Sequence, residues 1–292
     1  MSSQLAGSAG ADEFNDDEFG KVADELRGAC EGIETVIFFT AAGLAVAGSR
    51  DAPRERVEGA SAITNSVLSS AVTALTLGDG QPRRPDHIIV AAQPYGLAVM
   101  AVGELRMGVY FRPEADLASV MYEMSATRTR WAGNTDRFAE TGLAGRGGMT
   151  GVRPDGEALN HPDYRDRAEQ LIQLCPDIHT ALFLSGDGFP VAWAGELSGE
   201  SAGYAASTLS PLYRSAATAL EAHTPGSQDP DHLIVDAQPA SLLVMTVGEN
   251  LRLAAYYAHD ADFGTVLRAT VRMRELTLDV APRVAEWAGG ER

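Results

Sequence analysis

The chain reads as an α+β protein built from two copies of an antiparallel five-stranded sheet flanked by helices. Two observations predict this. First, the sequence matches itself at a shift of 145 residues. His87-Ile88-Ile89-Val90-Ala91-Ala92-Gln93-Pro94 returns as His232-Leu233-Ile234-Val235-Asp236-Ala237-Gln238-Pro239. The same shift pairs Cys30 with Cys175, Phe38 with Phe183, Gly43 with Gly188 and Gly103 with Gly248. One added residue then pairs Tyr110 with Tyr256 and Asp116 with Asp262. A period this long marks a duplicated domain, not a solenoid of short repeats. Second, each copy shows the periodicities of helix, two strands, helix, three strands and helix. The links between its strands are too short for parallel crossovers, so the sheet is antiparallel with helices on its faces.

In the first copy, Phe19, Val22, Ala23, Leu26 and Cys30 fall at helical spacing over residues 16–30. Residues 36–39 form an apolar strand, Ala41-Ala42-Gly43 a turn, and 44–47 the return strand. A long helix covers 54–77, with Val57, Ser61, Thr64, Leu68, Ala71 and Leu75 on one stripe. Gly78-Asp79-Gly80 and Pro82 end it. Strands at 88–93, 97–102 and 106–111 follow as a meander, turning at Pro94-Tyr95-Gly96 and Gly103-Glu104. The last helix starts near Ala115, with Leu117, Val120, Met121, Met124, Arg128 and Trp131 on its buried side. The second copy repeats the order, with helices at 162–174, 201–222 and 262–281. Its strands lie at 180–184, 190–194, 233–238, 242–247 and 252–257. The expected organisation is an acidic tail at 1–15, a first domain at 16–133, a Gly-rich linker at 134–160 and a second domain at 161–288.

Composition excludes several function classes. With 40 acidic against 23 basic residues, the net charge is −17, which repels a phosphate backbone and argues against nucleic-acid binding. Lys21 is the single lysine. Two cysteines in a chain of this length fit a reducing compartment and not a disulfide scaffold. No apolar run is long enough for a membrane span, and the acidic N-terminus lacks the features of a signal peptide. The expected location is the cytoplasm.

The element order resembles the roadblock / dynein light chain family, an architecture shared in outline with profilin and longin domains. Ser185-Gly186-Asp187-Gly188-Phe189-Pro190-Val191-Ala192 looks like the family's entry into its second strand. Ala41-Ala42-Gly43-Leu44-Ala45-Val46-Ala47 is the weaker match in the first copy. The resemblance implies that the copies pair along the first meander strand and the long middle helix, as an intramolecular pseudo-dimer. It also implies a non-enzymatic platform that binds a small Ras-like GTPase or a signalling complex. The alternative is a small-molecule sensor with a ligand between sheet and helices. Pro211 departs from the pattern. It lies inside the second middle helix where the first copy has Ser66, so a kink, or a restart at Ser210-Pro211, is expected there.

The candidate residues follow from these readings. Ile88, Ile89, Val90, Leu233, Ile234 and Val235 are apolar on both faces of their strands. With the strand order that the resemblance implies they are sheet-edge strands that demand pairing; the alternative is a central strand buried on both faces. Arg54, Arg56, Tyr204, Tyr213 and Arg214 are the expected partner contacts on the middle helices. His87 and His232 read as structural histidines, because no neighbouring ligand spacing supplies a metal site. Cys30 and Cys175 read as small buried hydrophobes. The carboxylate run at 12–18 lacks a calcium-loop pattern, and Gly145-Arg146-Gly147-Gly148 lacks the strand and the lysine of a phosphate loop. No catalytic residue, cofactor or metal is assigned.

Overall fold

A computed structural model describes residues 17–76, 83–138, 160–248 and 250–278. The expected tail, most of the linker with Gly145-Arg146-Gly147-Gly148, the helix stop at 78–82 and the end of the last helix lie outside these residues. The first copy runs α1 (Asp17–Ala29), β1 (Ile33–Thr40), β2 (Ala45–Gly48), α2 (Arg54–Leu75), β3 (His87–Ala91), β4 (Gly96–Val102), β5 (Leu105–Phe111) and α3 (Leu117–Trp131). The second runs α4 (Pro162–Leu174), β6 (Ile178–Ser185), β7 (Pro190–Gly195), α5 (Gly199–His223), β8 (His232–Asp236), β9 (Ala240–Val247), β10 (Leu251–Ala258) and α6 (Phe263–Leu278).

All ten strands join one antiparallel sheet in the order β2-β1-β5-β4-β3-β8-β9-β10-β6-β7. Alternate residues face opposite layers. Ile37, Phe39, Val90 and Val99 share a core with Val67, Ala71, Leu209 and Leu212 of the α2–α5 layer. Val36, Phe38, Met100 and Val109 face the other way, onto Phe19, Leu26, Val120 and Met124 of α1 and α3. Phe183, Leu243 and Leu253 do the same beneath α4 and α6. Helices thus cover both faces, which explains strands that are apolar nearly throughout. The α2–α5 core draws on both copies, whereas the opposite face is split into two cores, the second of which takes in Ile89 of the first copy.

Local chemistry fixes the element ends. Asp116 caps α3 by accepting from the Ala118 amide at 3.2 Å, and Ser198 caps α5 by accepting from Ser201 at 3.1 Å. Asp262 accepts from the Gly264 amide at 3.1 Å and the Thr265 hydroxyl at 2.6 Å, opening α6. The β1–β2 and β6–β7 turns need Gly43 and Gly188, at φ 83° and 88°. A Cβ on Gly188 would stand 2.6 Å from that of Ser210, so α5 passes directly beneath the turn.

Two expectations are corrected. The first copy does not end at 133. Thr135 is fully buried, accepts from the Glu104 amide and donates to the Ala132 carbonyl, both at 2.9 Å. Phe138 then packs edge-on against Phe19 at 5.7 Å. Nor does α5 restart at Ser210-Pro211. It is one helix of 25 residues with Pro211 inside it, and Ser198 is its cap.

Candidate functional site

The joint between the copies is the feature around which the molecule is organised. β3 and β8 pair antiparallel, with Ile88 opposite Val235, Ile89 opposite Ile234 and Val90 opposite Leu233. The Asp86 amide donates to the Asp236 carbonyl, and the Asp231 amide to the Ala91 carbonyl, both at 2.8 Å. These equivalent bonds close the two ends of the seam. All six seam side chains named from the sequence are buried. Ile88, Val90, Leu233 and Val235 face α2 and α5, while Ile89 and Ile234 face the opposite layer.

Above the seam α2 lies against α5. Ser70 and Ser215, equivalent residues of the two copies, approach at 3.4 Å and mark the pseudo-twofold axis. The Tyr256 hydroxyl donates to the Ala74 carbonyl of the other copy at 3.3 Å. Tyr110 meets Thr64 at 3.1 Å, and burial pushes its phenol up to about 12. The His223 ring stacks on Tyr110 across the copies at 4.0 Å and meets Tyr95 edge-on at 5.6 Å. Burial, then the charge of Arg56, lowers His223 to about 4, so the ring is neutral at pH 7. Its Nδ1 has no hydrogen-bond partner among the described residues.

The expected partner contacts do not converge. Arg54 is exposed and pairs with Glu58 at 2.7 Å, and Arg56 is exposed beside it at the start of α2. Tyr204 is exposed near the start of α5. The helices run antiparallel about the axis, so at 1.5 Å per residue Tyr204 lies roughly 40 Å from Arg54 along the pair. Arg214 is exposed between these ends. Tyr213 is corrected: it is 2% exposed and faces inward. Its hydroxyl donates to the Pro230 carbonyl at 2.5 Å and meets Thr246 at 2.8 Å, while Arg252 stacks 3.7 Å over the ring. Its neighbour Arg214 takes the outward position.

The two ends of the seam differ. At one, Asp231 is held by Arg274 at 2.8 Å and by His232 at 3.3 Å. At the other, Asp236 lies between two histidines, with His259 Nδ1 at 3.1 Å and His87 Nδ1 at 3.5 Å, and accepts from Ser241 at 2.7 Å. Burial is the largest influence on His87 and lowers its pKa, against the opposing pull of Asp236 and Asp86. Asp86 stands 3.8 Å from Arg128, the counterpart of Arg274. Asp86, Asp236 and His259 present ligand atoms within 4.8 Å of one another. The sequence reading missed this group because its members come from three separate segments.

Cys175 is buried and Cys30 half-buried; burial, then Glu123 and Asp116, raises the Cys30 thiol. Among the described residues no helix is long and apolar enough to cross a membrane.

No protein-family model and no curated protein matches the chain. Among solved structures it is similar to a Roadblock/LC7 domain from Streptomyces avermitilis, at 18% identity and a TM-score of 0.37, over 39% of this chain and 95% of that one. It is similar to Myxococcus xanthus MglB at 13% identity and a TM-score of 0.37, over 42% and 92%. It is also similar to the gliding protein MglB of Thermus thermophilus at 20% identity and a TM-score of 0.35, over 45% and 99%.

Proposed function

We propose that the chain is a non-catalytic binding platform whose α2–α5 face receives one small Ras-like GTPase or comparable signalling protein. The supporting observation is a face that is continuous in structure and unlike in chemistry. The helices share one core, so they present one rigid surface. Yet equivalent positions differ: Arg54 answers to Gly199, Arg56 to Ser201, Tyr204 to Gly59 and Arg214 to Ser69. Such a surface offers its arginines once, and a partner reading them docks in one orientation. Replacing Arg54 and Arg56 together with alanine is expected to weaken binding and flatten its salt dependence. The test is calorimetric titration of a nucleotide-loaded GTPase into the chain. Unchanged affinity in the double variant, or two partners per chain, overturns the reading.

One observation favours the small-molecule alternative. A cavity of about 280 Å³ lies between α2 and the sheet, lined by Asn65, Ser69, Val72, Arg84, Val99 and Arg106 among others. A metabolite that raises the melting temperature of the wild-type chain but not of Ser69→Trp would support that reading.

A further inference from the structure

The two ends of the seam are a natural control for each other. Both carry an Asp-His pair at a strand start, Asp86-His87 and Asp231-His232, and both carry an arginine on the following helix, Arg128 and Arg274. At the Asp231 end the arrangement is closed. Arg274 neutralises the carboxylate at 2.8 Å, and the facing strand contributes Ala91. At the Asp86 end the facing strand contributes Asp236, and the turn after β10 contributes His259, where the first copy has Pro113.

These two differences change what the end requires. A second carboxylate now lies within 4.8 Å of the first, both only partly exposed, and the nearest arginine stands back at 3.8 Å. Two carboxylates this close repel each other unless positive charge sits between them. The Asp86 side chain keeps 40% exposure and that of Arg128 46%, so this pair is long and open to solvent. Asp236 is steadied by Ser241 at 2.7 Å, which orients one oxygen and leaves the other toward His87.

We propose that Asp86, Asp236 and His259, with His87 beside them, bind one divalent transition-metal ion of the zinc class across the joint between the copies. Mixed imidazole and carboxylate donors suit zinc better than calcium or magnesium, which take oxygen ligands. Three ligands leave a fourth position for water or for the second imidazole. Because Asp86 belongs to one copy and the other two ligands to the second, the ion ties the halves together at this end alone.

The test is calorimetric titration of Zn²⁺ into the metal-stripped full chain, with the visible spectrum of the Co²⁺ form reporting geometry. One ion per chain is expected, with tetrahedral cobalt bands. His259→Gln and Asp236→Asn should each weaken zinc by more than about tenfold, the loss already usual when only a group supporting a ligand is removed. His232→Gln, at the opposite end, should leave it unchanged. Should Asp236→Asn fold poorly, the partly exposed His259→Gln carries the test. No zinc binding by the wild-type chain, or equal loss in His259→Gln and His232→Gln, overturns the proposal.

Discussion

Truncating one seam side chain should destabilise both copies together. Val90 is fully buried, pairs with Leu233 across the seam and faces the core shared by α2 and α5. Val90→Ala removes two methyl groups there. At about 0.8 kcal/mol per buried carbon, plus a term for the space left behind, the loss is about 2 kcal/mol. With a urea dependence of roughly 3 kcal/mol per molar, the midpoint should fall by about 0.7 M. Trp131 sits in the first copy, 5.7 Å from Phe19, and Trp193 packs in the second against the core beneath α5. Variants that keep one tryptophan at a time give each copy its own fluorescence probe. Both probes should report the same midpoint and the same shift. A shift seen by Trp131 alone, or a wild-type chain that unfolds in two separate steps, would show that the shared core does not couple the copies.

Three further outcomes follow. His223 is held neutral, its pKa lowered to about 4 from an unfolded value near 6.5. The unfolded chain therefore takes up a proton that the folded chain refuses, and stability is lost as pH falls from about 6.5 toward 4, by up to about 3 kcal/mol. His223→Leu should flatten the urea midpoint over that range, and an unchanged slope would refute the assignment. Gly188→Ala should cost about 1–3 kcal/mol, since it meets Ser210 at 2.6 Å at a positive φ, and Gly43→Ala should cost less, since its nearest contact is Asn65 at 3.1 Å. Thermal melts of the two variants that give the reverse order would contradict this packing. Arg54→Ala with Arg56→Ala should shift the melting temperature little, because an exposed pair such as Arg54–Glu58 contributes only about 0.5 kcal/mol.

What the sequence disclosed was what repetition and periodicity encode. The element order is visible because each strand and helix buries a regular set of side chains, and the shift of one copy onto the other supplies a second reading of every element. The seam strands stand out because Ile88, Ile89 and Val90 are apolar on both faces. What stayed hidden depends on which neighbour arrives in space. Tyr213 and Arg214 are adjacent in sequence, and nothing there tells which one Pro230 and Thr246 draw inward. Thr135 falls in a Gly-rich stretch, and its burial follows from a contact with the turn at Glu104. The Asp86–Asp236–His259 group did leave a trace in the duplication. Asp236 stands where the first copy has Ala91, and His259 where it has Pro113. Differences between aligned copies, not only their agreements, were the signal to follow.

The covalent joining of the halves alters what a single substitution does. In a dimer of identical chains every change occurs twice, related by the axis, and must be tolerated at both places. Here a change is made once. Asp236 stands at one end of the seam and Ala91 at the other, and α5 carries Tyr204 where α2 has Gly59. The association is also immune to dilution, because neither half has to find its counterpart. One half is thus free to specialise while the other preserves the fit between them.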